Sequence, residues 1–107
     1  VTAHLNLPWS EQFRIAARHW VDAEAAASIL EDTKSAVLSQ RMTALGDMPV
    51  NRAEMQVKSS PAWVEHVTAM VEARKEANRR KVQMEFLRMK FSEWQSAEAS
   101  KRAEMRL

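Results

Sequence analysis

Three histidines, His4, His19 and His66, are the side chains of this 107-residue chain best suited to hold a metal or move a proton. His19 and Asp22 stand one helical turn apart, close enough to share an ion. No second close pair completes a ligand set, however, and no His-Glu-x-x-His run occurs. His66 follows Glu65, and adjacent residues on a helix point in different directions. Serine, histidine and aspartate are all present, but nothing in their arrangement resembles a nucleophile elbow. A single glycine leaves no Gly-rich loop to cradle a phosphate. Neighbouring carboxylates such as Glu31 and Asp32 diverge on a helix. The pattern predicts no catalytic site, no metal site and no cofactor.

Charge is more informative. The chain has 16 basic and 14 acidic residues, a net +2, and the distribution is uneven. Residues 11–47 carry four basic and six acidic side chains. Residues 74–90 carry seven basic ones, Arg74, Lys75, Arg79, Arg80, Lys81, Arg88 and Lys90, against Glu76 and Glu85. A basic helical segment can neutralise phosphates, and aromatic neighbours can stack on unpaired bases, so these seven are candidate nucleic-acid contacts. They also surround the helix as solvated charges do, and they can attract the acidic first helix instead.

The elements that must position these residues follow from the breakers. One glycine and three prolines are too few for the turns of an all-β or α/β domain. The breaks fall at Pro8, at Gly46-Asp47-Met48-Pro49 and at Ser59-Ser60-Pro61. The expected fold is therefore all-α. Long helices are predicted near 10–45 and 61–105, with a short one near 51–58 between them and an arm at 1–9. Ser10 is the expected cap of the first helix and Gly46 its C′ residue. Asn51, with Glu54 three positions on, resembles a capping box, and Ser60 should cap a last helix that has Pro61 at its first position. A helix of more than 40 residues would be roughly 60 Å long, so an elongated single domain, a hairpin of two long helices, is expected.

Periodicity assigns the faces. Phe13, Ala16, Ala17, Trp20, Ala23, Ala27 and Leu30 share one face of the first helix, and the alanines at 23, 25, 26 and 27 permit close approach by a neighbour. Met70, Ala73, Ala77, Met84, Leu87, Phe91 and Trp94 form a stripe on the last. Trp20, Leu30, Val37, Met70, Met84, Leu87, Phe91 and Trp94 are the expected hairpin core. Trp9, Trp20, Trp63 and Trp94 are many for this length; most should be core, with Trp63 and Trp94 also placed to anchor a protein contact. Val82, Phe86 and Met89 lie nearly opposite the main stripe of the last helix. One partner helix cannot cover both stripes. These three residues are the candidate oligomer interface, with the middle segment as the alternative cover.

With no cysteine there is no disulfide framework. No run approaches the roughly 20 apolar residues of a membrane span, and no signal peptide is visible, so a cytoplasmic protein with no membrane association is expected.

The stretches EARKEANRRKVQ at 72–83, FLRMKFSEWQS at 86–96 and KRAEMRL at 101–107 resemble the C-terminal region of small helical proteins of phage and prophage genomes. Such proteins are often encoded near recombination or single-strand-annealing genes. The resemblance covers residues 71–107 and implies an accessory role in phage DNA metabolism inside a bacterial host, with no defined chemistry. Together these features predict a non-enzymatic helical interaction protein that forms homo-oligomers, another protein partner being open to it. The alternative is a nucleic-acid-binding module using residues 74–90.

Overall fold

The computed structural model describes residues 7–106; the first six residues of the expected arm lie outside that description. Four helices follow in order: α1 (Trp9–Asp32), α2 (Lys34–Ala44), α3 (Val50–Lys58) and α4 (Pro61–Met105). There is no strand among the described residues, as the scarcity of turn formers predicts.

The helices contribute to two compact units. One joins the chain up to Asp22 with Ala77 onward, and the other comprises Ala23–Glu76. In the first, α1 begins one residue before the expected cap. The Pro8 carbonyl accepts from the amides of Glu11 and Gln12, both at 3.0 Å. Gln12 Nε2 reaches back to donate to the Leu7 carbonyl at 2.8 Å. Ser10 therefore sits inside the first turn and not at its cap. Ala16 and Ala77 are the buried apolar residues of this unit, with Trp20, Met84, Leu87 and Phe91 half-buried.

The second unit carries the larger buried side chains, Trp63 and Val57, together with Ala27 and Ala53. Here the predicted 10–45 helix divides. Thr33 takes φ −93° and ψ 0° between α1 and α2. Its hydroxyl donates to the Ile29 carbonyl at 2.6 Å, the back-bond to residue i−4 that bends helices. Thr33 is also β-branched and follows Asp32, both weak helix formers. The backbone ladder passes on either side of it, Thr33 N–H to Ile29 and Val37 N–H to Thr33, so the interruption is one residue wide.

Gly46 ends α2 as expected. Its φ of +87° lies in the left-handed region. A Cβ there would meet nothing within 4 Å, so glycine supplies the dihedral angle and not room. At α3 the cap differs from expectation. Pro49 occupies the cap position with φ −56° and ψ 139°, and its carbonyl accepts from Ala53 N–H at 2.9 Å. Asn51 falls within the first turn, and Glu54 pairs with Lys58 at 2.7 Å. No capping box forms.

Ser60 behaves as predicted. Its hydroxyl accepts from Trp63 N–H at 3.2 Å and donates to the Val57 carbonyl at 2.6 Å. One oxygen thus caps α4 while satisfying the last turn of α3, and it seats Trp63 in the unit's interior.

The core is thinner than the stripes suggest. Trp20, Leu30, Val37, Met70, Met84, Leu87 and Phe91 are all half-buried. Trp94 is 48% exposed, so it does not belong to a closed core. Among the described residues the two positions with no exposure at all are alanines, Ala27 in one unit and Ala77 in the other. Trp63, read as an anchor for outside contacts, is only 5% exposed and unavailable for that role. Trp63→Ala should lower unfolding free energy by about 3–5 kcal/mol, measurable as a shifted urea midpoint at unchanged native helix content.

Candidate functional site

The acidic face of α1 and the basic face of α4 meet within the second unit. Glu24 and Glu31 are seven residues, two turns, apart on α1, with the fully buried Ala27 between them. Arg74 of α4 reaches both. Its Nε and Nη2 donate to the two carboxylate oxygens of Glu31 at 2.8 and 2.7 Å, and its Nη1 donates to Glu24 at 2.6 Å. This is a bidentate fork plus one further charged hydrogen bond, which arginine geometry allows and lysine geometry does not. The hydrogen bonds from Arg74 hold the Glu31 carboxyl below its ordinary range, and the two carboxylates raise the Arg74 pKa further. The pairing was invisible as a unit in the sequence. Its only trace there is the acidic first helix, the basic segment of the last, and the i, i+7 spacing of Glu24 and Glu31.

The other candidate phosphate contacts are distributed differently. Lys81 Nζ lies 5.9 Å from the centre of the Trp20 ring, and Lys90 Nζ lies 5.7 Å from that of Phe86. Lys90 also approaches Glu93 at 3.6 Å. Arg79 and Arg80 have interactions of their own within the chain. Lys75, Arg79 and Arg88 are exposed, and Arg80 is half-buried. No single stripe gathers the seven.

Val82, Phe86 and Met89 are the most distinctive feature of the first unit. They are 65%, 52% and 60% exposed and share one face of α4, at i, i+4 and i+7. No other described part of the same unit encloses them. The same unit has an open groove of about 490 Å³ lined by Leu7, Pro8, Trp9, Ser10, Phe91 and Trp94. The Phe91 and Trp94 rings stack in its wall, 6.0 Å apart and 20° from parallel. Sequence reasoning placed Phe91 and Trp94 in the core and did not anticipate the groove. Trp9, next to Pro8, was its one available sign.

Among the described residues no group of three or more His, Asp or Glu side chains could hold a metal ion. His19 and Asp22 are both exposed, and His4 lies outside the described residues. His66 packs against Trp63 with ring centres 5.5 Å apart, and its Nε2 is buried with no hydrogen-bond partner. No described helix is long and apolar enough to cross a membrane.

The Arg74 pairing gives a pH dependence of known sign. A carboxyl held below its ordinary value of 4.5 gives stability that is complete above about pH 4.5 and is lost as pH falls through the folded-state value. Glu31→Gln should therefore lower stability near pH 7 and flatten its fall as pH drops below about 4.5. Urea midpoints of parent and variant across that range check this; parallel acid limbs would contradict it.

Compared with known protein families, curated proteins and solved structures, the chain has no match in any of the three.

Proposed function

We propose that this is a non-enzymatic helical protein that works through protein contacts and associates with itself through Val82, Phe86 and Met89. The exposure of these three side chains on one face of α4 carries the proposal. Leaving a phenylalanine side chain in water forgoes roughly 1.5–3 kcal/mol of burial free energy, and contiguous apolar surface of this kind marks contact sites. In the proposed architecture α1 and α4 are the arms of a helical hairpin. The first unit supports an antiparallel course: Trp20 meets Lys81, while Trp9 shares a groove with Phe91 and Trp94. With the resemblance of residues 71–107 to phage proteins, the protein is read as an accessory of phage DNA metabolism in the cytoplasm of a bacterial host.

Phe86→Glu places a charge where association would have to desolvate it. The variant should remain helical by circular dichroism while its sedimentation falls from oligomer to monomer at tens of micromolar. Assembly like that of the parent would show that this face is not the contact, and outright unfolding would assign the stripe to the chain's own core.

The exposed Lys75, Arg79 and Arg88 favour a second reading, nucleic-acid binding by the basic segment. It is the weaker one, since Arg74 is held by two carboxylates and Lys90 has Glu93 beside it. If it is correct, affinity for single-stranded DNA falls linearly with salt on logarithmic axes, with a slope set by the number of phosphates neutralised. Absence of binding at low salt would dispose of it.

A further inference from the structure

The charges around the exposed stripe indicate what covers it. With 100° per residue, Arg79, Val82, Phe86, Met89 and Glu93 all fall within an arc of about 80° on α4. Along that arc a cation comes first, three apolar residues follow, and an anion comes last. Arg79 and Glu93 are both exposed, Glu93 with a side chain 66% accessible. A copy running the same way would set Arg79 against Arg79 and Glu93 against Glu93. A copy running the opposite way sets each Arg79 beside a Glu93 and closes the apolar centre on itself.

We infer that the Val82, Phe86 and Met89 face docks on the same face of a second copy in antiparallel orientation, with the two-fold axis near Phe86 and Arg79–Glu93 pairs at both ends. This rests on the self-association proposed above and specifies its partner and direction. In this register Phe86 meets its own counterpart and Val82 lies opposite Met89 and Lys90 of the partner copy. Lys90, whose Nζ lies 5.7 Å from the centre of the Phe86 ring, can add its aliphatic stem to the apolar cover while its ammonium stays in water. Neither Arg79 nor Glu93 has to be free for this, because guanidinium and carboxylate each accommodate more than one partner. A two-fold interface requires such self-complementarity of one patch, and the order of signs along α4 provides it.

Two measurements test direction separately from association. The chain has no cysteine, so introduced ones report contacts without background. Under mild oxidation Val82→Cys alone should give no covalent dimer, whereas its equimolar mixture with Met89→Cys should. Within one chain these positions are two turns, about 10 Å, apart, too far for a disulfide. In sedimentation equilibrium, Arg79→Glu should weaken the dimer on the order of tenfold at low salt, and Arg79→Glu/Glu93→Arg should restore it. Rescue within one chain is ruled out by the 14 residues, about 21 Å of helix, between the two sites. Self-crosslinking of Val82→Cys, or charge reversal without effect on a dimer that Phe86→Glu still abolishes, would overturn the antiparallel pairing and leave the face as the interface. A parent chain that is monomeric at tens of micromolar would overturn both.

Discussion

A helix of 45 residues with apolar side chains on more than one face leaves several of them exposed among the described residues. Its backbone is self-sufficient, since nothing between Pro61 and Met105 breaks the hydrogen-bond ladder. Its side chains are not. Trp63 near its start is enclosed, Ala77 is fully buried, and Val82, Phe86 and Met89 are left in solvent. This imbalance is the constraint from which the thin core, the small buried residues and the proposed self-association all follow.

Small buried residues and charged clamps complement each other in such a structure. Alanines at the contacts bring helices together without contributing much buried area. Polar groups at the rim then take a larger share of the specificity. Arg74 is the clearest case. The fully buried Ala27 lies between Glu24 and Glu31, so the guanidinium can span both carboxylates. Exposed ion pairs of this sort give little net stability. A forked arginine held by two carboxylates nevertheless fixes which residues lie opposite one another, because few registers satisfy all three hydrogen bonds at once. The same cation is thereby withdrawn from the set that could meet phosphates. The basic segment therefore presents fewer uncommitted cations than its composition suggests.

The junctions show how much a single polar atom can organise. The Ser60 hydroxyl closes α3 and opens α4 in one pair of hydrogen bonds, and the side chain that follows, Trp63, is the largest of the buried ones. Thr33 uses its hydroxyl in the opposite sense, back-bonding to Ile29 and dividing what would otherwise be one helix.

The sequence by itself determined the all-α class, the course of the last helix from Pro61, its serine cap and the glycine stop at residue 46. Each of these is local: a missing N–H, a preferred dihedral or a hydroxyl three residues from an amide acts within one turn of chain. The separation of Val82, Phe86 and Met89 from the main stripe was also legible, since it needs only the helical period. Local signals misplaced the caps at Ser10 and Asn51, because both helices start earlier in the chain, next to a proline whose carbonyl accepts the first helical hydrogen bond. Tertiary structure alone decided which apolar residues are covered. Trp63 and Trp94 begin alike as tryptophans on one helix, and one is buried while the other lines an open groove. Burial depends on what arrives from distant parts of the chain, and periodicity carries no information about that. The Arg74 pairing with Glu24 and Glu31 has the same origin, since its partners lie 50 and 43 residues away and only packing brings them within reach.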